Sequence, residues 1–464
     1  MDLRQTSMTV EIHDHPHAPN RFAVIPTSVR LNADPQYTGK GVTIAFLDSG
    51  FYPHPDLLEP RSRILFYKDI TDELVSLDLS APAESWQWHG TQTSIAAAGN
   101  GHLCNGIYKG LAPSAQLVLV KVSQNGRITE ENIARGIKWI IANRERFNIR
   151  VLNISLGGDD DVPCKKSIID QAAEEAISAG IVVVVAAGNS GARPSIPPAN
   201  SPSVITVGGY HDNNQLNGPS LDLYHSNYGP TADGTVKPEI VAPAMWVAAP
   251  ILPGTDLYRR AEALSELATT TRDDSIRAEV EDSLRDLKIV ATHYQHVDGT
   301  SFAAPIVTSV VAQMLEANPT LTPGAIKNIL ISTADRIADA PAMRQGFGVV
   351  NARRAVALAK KEQHALNTVG CSPPRVQNGH LLFVYHDDEA RAVSLAGNFN
   401  GWNPTIDRLA KDATGLWVCR LATPGTGRYE YKFVVDDQRW TEDPSNGMRV
   451  SDGYGGLNSV LVIQ

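Results

Sequence analysis

Residues 181–189, IVVVVAAGN, place five β-branched side chains in a row and end on Gly188 and Asn189. A strand that is apolar at every position has no face to give to water, so it belongs in the middle of a parallel sheet covered on both sides. Working outward, similar short runs recur as VTIAFLD (42–48), AQLVLVKV (115–122) and VLNISLG (151–157). Between them lie segments of helical period, TEENIARGIKWIIANRERF (129–147) and KSIIDQAAEEAISAG (166–180), and a further helix is expected near His89. From Gly41 to Ala359 this alternation predicts an α/β fold, a mostly parallel sheet with helices on both faces.

The chain has 464 residues, enough for two or three domains at ~150 residues each. With 42% hydrophobic and 20% charged residues it has the composition of a globular protein. A net charge of −9, from 41 basic and 50 acidic side chains, argues against nucleic acid as a partner. No apolar run approaches the ~20 residues of a membrane helix, and the first 20 residues lack the basic start and apolar core of a secretory signal. A cytoplasmic protein with no membrane partner is therefore expected. Cys104, Cys164, Cys371 and Cys419 are read as free thiols, because no CxxC spacing occurs.

Two stretches break the pattern. Between Pro253 and His296, Leu257, Ala261, Leu264 and Ala268 share one helical face, as do Ile276, Val280, Leu284 and Leu287. This predicts a helical hairpin laid on the core, either an inert insertion or a lid or self-association element. After a stretch around Gly370 to Gly379, the last ~90 residues alternate at period two between turn signals, as in a small β-sandwich. The expected organisation is an N-terminal extension (1–24), a first domain (25–365), a linker (366–377) and an immunoglobulin-like β-sandwich (378–464).

In GTSFAAPIVTSVVAQ, Ser301 follows Gly299 and Thr300 and opens an apolar helix. Its hydroxyl sits at the positive end of the helix dipole, and its backbone N–H can donate to an oxyanion. Asp48 ends a strand, where sites of open parallel sheets collect. His89, at the start of a helix, could face Asp48 on one side and Ser301 on the other. Asn189 ends the central strand and offers an amide as a second oxyanion donor.

These four segments, DSG with Asp48, HGT with His89, AAGNSG with Asn189 and GTSFAAP with Ser301, resemble the signature motifs of the subtilisin-like serine proteases, in that family's order. The resemblance covers about residues 25 to 360. It implies peptide-bond hydrolysis through an acyl-enzyme, with Ser301 as nucleophile, His89 as general base and acid, Asp48 as its orienting partner, and Asn189 with the Ser301 N–H as oxyanion donors. It also implies that Ser155, Leu156 and Gly157 bind the peptide by added β-pairing, and that Ala186, Ala187 and Gly188 line the primary pocket. Trp88, Gln92 and Ala244 depart from the family, which usually has Gly, His and Gly there. The 47 residues before Asp48 are read as too short for the usual inhibitory prodomain.

No cofactor is needed for that chemistry. Calcium is common in the family, so structural calcium stays an open option. Asp159, Asp160 and Asp161 are read as a solvated loop, since no calcium-ligand spacing is present. His13, His15 and His17 are read as a mobile tail. No HExxH motif suggests a metalloprotease, and no GxSxG elbow suggests an α/β-hydrolase.

The segments VSLAGNFNGWNP, GLWVCRL, GRYEYKFVVDDQRWTEDPSN and GGLNSVLVI resemble the glycogen-binding modules of carbohydrate-binding family 48. At matching positions Trp402 and Trp440 would offer aromatic platforms to glucose rings, and Lys432 and Asn458 hydrogen-bond donors. Trp417 alternates with Cys419 and Leu421 and is expected in the core. The resulting expectation is a serine endopeptidase held near glycogen or another α-glucan. The alternative is a catalytically silent scaffold of the same fold that binds glucan or protein. Oligomeric state is not encoded in any motif.

Overall fold

The computed structural model describes residues 24–72, 81–124, 126–158, 161–191, 194–216, 221–361 and 374–463, the last with gaps at 378–379, 388, 413–414, 426, 447–448 and 454–455. His13, His15, His17, Asp159, Asp160 and Cys371 lie outside the described residues.

Seven strands, β1 (Thr43–Asp48), β2 (Ile64–Asp69), β3 (Gln116–Lys121), β4 (Ile149–Ile154), β5 (Val182–Ala186), β6 (Ile205–His211) and β7 (Ile240–Pro243), form a parallel sheet in the order β7-β6-β5-β4-β1-β3-β2. A two-residue strand, Asp222–Leu223, adds antiparallel to β6. The apolar runs divide by the pleat: Ile44, Phe46, Val182 and Val184 enter one core, while Ala45, Leu47, Val183 and Val185 enter the other. The expected α/β class is what the chain adopts. Strand β2 had not been expected, because at the sheet edge its side chains are mostly half-buried and lack the all-apolar pattern.

The helices longer than four residues are α1 (Trp88–Ala98), α2 (Glu130–Phe147), α3 (Ile168–Ser178), α4 (Asp256–Thr270), α5 (Asp274–Asp286), α6 (Thr300–Ala317), α7 (Pro323–Thr333) and α8 (Ala352–Lys361) among the described residues. Residues of α2 and α3 fill one core; those of α1, α6, α7 and α8 fill the other. Side chains cap five of these N-termini, by Thr129, Ser167, Thr255, Asp273 and Thr322; thus Thr129 Oγ1 accepts from Asn132 N–H in α2, and Ser167 Oγ from Asp170 N–H in α3. Helix α6 crosses β4, β5, β6 and β7 and is buried over nearly its whole length. Behind the sheet a buried carboxylate, Glu239, accepts from Lys237 Nζ (2.6 Å) and Lys327 Nζ (2.7 Å) through Oε1 and from Thr206 N–H (2.8 Å) through Oε2. Burial lowers the Lys237 pKa to about 8 against the pull of Glu239.

Helices α4 and α5 form the expected hairpin, carried between strands β8 (Val247–Pro250), β9 (Ile289–Ala291) and β10 (Tyr294–Val297). Ala261, Ala268, Val280 and Leu284 are buried with Ile251 and Ile289, and Leu257, Leu264 and Leu287 pack on them. Ile276 departs from the expected face and is exposed, since it sits in the first turn of α5 outside this cluster. At the root of the insertion, Tyr294 Oη donates to both oxygens of Asp56, at 2.7 and 2.9 Å. Both residues are fully buried, and Leu103 N–H gives Asp56 Oδ1 a further donor at 3.3 Å. Beside them His54 Nδ1 accepts from Asp56 N–H. Burial pushes the His54 pKa down to about 4, opposed by the Asp56 charge and aided by His293 and His102.

The C-terminal part packs two antiparallel sheets around one core. Its main strands are β11 (His380–Tyr385), β12 (Val393–Gly397), β13 (Trp417–Ala422), β14 (Gly427–Val435), β15 (Arg439–Thr441) and β16 (Leu457–Ile463). Strands β11 and β13 belong to one sheet and β12, β14, β15 and β16 to the other. Phe383, Leu395, Trp417, Cys419, Tyr431 and Phe433 fill the space between, so the expected β-sandwich and the core position of Trp417 are found. A strand at Arg375–Gln377 pairs with β11, which places sandwich structure inside the stretch read as linker.

Candidate active site

Asp48 ends β1 in the buried centre of the sheet, and its carboxylate is 1% exposed. Oδ1 accepts from Ser49 N–H at 2.7 Å and contacts His89 Nδ1 at 2.8 Å. Oδ2 accepts from Thr93 Oγ1 at 3.1 Å. Thr93 lies one helical turn beyond His89 on α1, so one helix supplies both the imidazole and a hydroxyl that orients its carboxylate. The close approach depends on Gly90: a Cβ there would meet Gly50 O at 2.2 Å and Asp48 Cβ at 3.0 Å. Burial disfavours a charged ring at His89, but the charge of Asp48 and its hydrogen bond outweigh that and raise the pKa above the ordinary histidine value.

Ser301 is the second residue of α6, with Phe302 beside His89 at a ring-centroid distance of 6.0 Å. The Ser301 hydroxyl donates to the Ser155 carbonyl at 3.4 Å, and among the described residues no hydrogen bond joins it to His89. Pro305 is the sixth residue of the helix. Asn189 follows β5, and its Oδ1 accepts from the Thr300 N–H (2.9 Å) and hydroxyl (3.0 Å). With the oxygen held by Thr300, the NH2 group is the half of the amide left to act as a donor. Thr300 itself is fully buried and also accepts from Gly188 N–H at 3.1 Å.

Ser155–Gly157 continue beyond β4 as a chain segment with no strand paired to it among the described residues. Gly158 N–H donates to Pro197 O at 2.8 Å on its flank, and Leu156 packs into the core from one side. Ala186 ends β5, Ala187 is buried, and Gly188 O accepts from Asn227 N–H. The structure thus gathers Asp48, His89, Asn189, Ser301 and the two small-residue segments at the carboxyl ends of β1, β4 and β5. Thr93, Thr300 and Asn227 were not singled out by sequence. The signals were present for the first two, a threonine four residues after His89 and the residue preceding Ser301.

The three residues that depart from the family each have a place in the packing around this cluster. Trp88 is 47% exposed and stands edge-on to the His89 ring, with centroids 5.1 Å apart. Gln92 is buried and donates to Pro250 O at 2.9 Å, which ties α1 to the strand that enters the insertion. The Ala244 methyl fits because Gly209 has none; a Cβ at Gly209 would lie 2.3 Å from it. Asp161 is exposed, and among the described residues no group of three or more His, Cys, Asp or Glu could hold a metal ion. Among those residues no helix is long and apolar enough to cross a membrane.

In the sandwich, Lys432 and Trp440 share one face of the sheet, opposite to the core-facing Tyr431 and Phe433. The register of β14 with β16 ends at Tyr431 opposite Ser459, one residue short of Lys432 and Asn458. Trp440 is 44% exposed, whereas Lys432 is paired with Asp452 at 2.6 Å and Asn458 is buried, donating to Glu430 at 3.1 Å. Trp402 is half-buried in the turn after β12, its N–H on Gly397 O. Trp440 is therefore the most open of the four proposed sugar contacts.

A model of the subtilase family matches residues 39–349, and one of carbohydrate-binding module 48, described as the isoamylase N-terminal domain, matches residues 368–446. The chain is 34% identical over 329 residues to serine protease AprX of Bacillus subtilis, a match spanning 69% of this chain and 67% of AprX. It is 30% identical over 327 residues to Subtilisin NAT of Bacillus subtilis subsp. natto, spanning 69% and 66% of the two. The chain thus covers about two thirds of the length of these relatives. A solved structure of a protease from Pseudoalteromonas arctica superposes with a TM-score of 0.51 at 25% identity, over 72% of this chain and 93% of that one. With the match running through the domain that holds Asp48, His89 and Ser301, the chain belongs to the subtilase family of serine proteases.

Proposed function

We propose that this chain is a serine endopeptidase. A peptide lies extended along Ser155–Gly157, with one side chain directed toward Ala186–Gly188. Ser301 Oγ forms a bond to the scissile carbonyl carbon while His89 Nε2 takes the hydroxyl proton. The Asn189 amide and the Ser301 N–H hold the oxyanion. Collapse breaks the C–N bond, and the proton passes from His89 to the leaving amine. Water then attacks the acyl-enzyme by the same proton route and restores Ser301. The observation that carries this reading is the 2.8 Å contact between His89 Nδ1 and the buried Asp48, which leaves the far ring nitrogen as the base. No step asks for a cofactor; a structural calcium would reveal itself as a chelator-sensitive melting temperature.

The C-terminal module, we infer, holds the protease near glycogen or another α-glucan and raises its local concentration on proteins there. Exposed Trp440 on the sheet face supports this. A second reading, a silent scaffold that binds without cleaving, is favoured by the Ser301 hydroxyl lying on Ser155 rather than on His89.

Hydrolysis of labelled casein and of a mixed peptide library separates the two. Cleavage that disappears in Ser301→Ala and with a serine-directed inhibitor supports the peptidase, and the library reports the pocket's preference. Intact substrates at every condition, with calcium and glycogen included, favour the scaffold. For the module, unchanged co-sedimentation of Trp402→Ala and Trp440→Ala with amylopectin would sink the glucan site.

A further inference from the structure

The carbonyl of Ser301 would ordinarily accept the N–H four residues on in its helix, but that residue is Pro305, which has none. The freed carbonyl accepts instead from Ser155 Oγ at 2.9 Å. Ser155 Oγ in turn accepts from Asn153 Nδ2 at 3.1 Å, and Asn153 Oδ1 accepts from Thr308 Oγ1 at 2.9 Å. Every donor points the same way, from Thr308 through Asn153 and Ser155 to Ser301. Asn153 and Thr308 are fully buried and Ser155 is 5% exposed, so these bonds face no competition from bulk water. The chain of bonds starts on α6, crosses to the end of β4 and returns to α6 at the nucleophile.

We infer that Thr308, Asn153 and Ser155 form a positioning relay that fixes the backbone of Ser301 against the segment along which the peptide lies. This inference rests on the peptidase reading. Two groups used in catalysis depend on that backbone: the N–H that meets the oxyanion and the Cα whose Cβ carries Oγ. A substrate paired to Ser155–Gly157 is registered to one end of the relay, and the attacking oxygen to the other. Thr308 acts at a distance: its hydroxyl holds the Asn153 oxygen, so the Asn153 NH2 must face Ser155. Without it a buried amide oxygen loses its donor and the amide is free to turn over.

The test uses the full chain and a fluorophosphonate probe that labels Ser301, together with kcat and KM on a peptide amide. Thr308→Val keeps the shape and removes the hydroxyl; Thr308→Ser keeps the hydroxyl; Ser155→Ala cuts the relay at its other end. Removing one neutral hydrogen bond from a positioned group predicts about three- to tenfold slower labelling and lower kcat, with KM within about twofold, for Thr308→Val and Ser155→Ala. Thr308→Ser should restore both to within about twofold. A purely structural role would lower the melting temperature and leave the labelling rate per folded molecule unchanged. A reactive wild type with unslowed Thr308→Val and Ser155→Ala overturns this inference alone, as does equal slowing of Thr308→Ser and Thr308→Val. An unreactive wild type overturns the peptidase reading and the relay with it.

Discussion

Replacing Tyr294 by Phe removes one oxygen from the root of the insertion and leaves the ring in place. That oxygen's single proton is shared between both oxygens of a carboxylate with no exposure to water, at 2.7 and 2.9 Å, and Leu103 N–H at 3.3 Å is a longer contact that remains. Burial beside Asp56 pushes the phenol pKa far up, so it is a neutral donor at any working pH. Hydrogen bonds to charged groups contribute about 1.5–3 kcal/mol, and a buried carboxylate left short of a donor puts this case at about 2–3 kcal/mol. Unfolding entropy of about 2.1 cal/mol/K per residue gives the 311 residues matched by the family model about 0.65 kcal/mol/K. The expected fall in melting temperature is then about 3–5 °C, read by calorimetry at pH 7. In an Asp56→Asn background the acceptor is neutral, and the same substitution should cost less by at least about 1 kcal/mol. A Tyr294→Phe protein melting within 1 °C of the parent, or one whose loss is the same in both backgrounds, would refute the argument.

The other expectations concern buried charge and pH. His54 is neutral in the fold with a pKa near 4, below its ordinary 6.5, so its contribution is present above pH 6.5 and is lost as pH falls through about 4. That window corresponds to about 3 kcal/mol, and His54→Asn should flatten the acid limb of melting temperature against pH. At the active site the base works unprotonated, so kcat/KM should fall as pH drops through the raised pKa of His89. In Asp48→Asn that acid limb should move to lower pH, alongside a large loss of rate; an unmoved limb would separate it from His89. Glu239→Ala leaves Lys237 and Lys327 buried without their counter-charge and should cost about 3–5 kcal/mol in chemical denaturation, against under about 1 kcal/mol for exposed Asp274→Ala.

What could be read in advance follows from what each residue's pattern encodes. Strands β1, β3, β4 and β5 announce themselves because both faces are buried and most of their positions are apolar, β5 throughout. Edge strand β2 carries no such mark, its identity being set by pairing with β3 rather than by its own sequence. Asp48, His89, Asn189 and Ser301 could be picked out because each stands at or just beyond an element's end, inside a segment that resembles a signature motif of the family. The bond from Thr93 to Asp48 and the grip of Thr300 on Asn189 depend on which way a helix faces once packed. On the sandwich, the pattern marks Lys432 and Asn458 as polar positions, yet only the tertiary register reveals that Asp452 and Glu430 already occupy them.

The insertion leaves and rejoins the domain at adjacent strands, with Pro250 directly opposite Tyr294 and Val247 opposite Val297. Its two ends are thus one interstrand spacing apart, about 5 Å, whatever lies between them. Closing such a loop grows costlier only with the logarithm of its length, by about 0.6 kcal/mol per doubling. The strand that begins it is fastened to the helix of His89 through Gln92. The rim beside the histidine is therefore a port at which chain can be lengthened, shortened or exchanged for another module while the sheet beneath keeps its register.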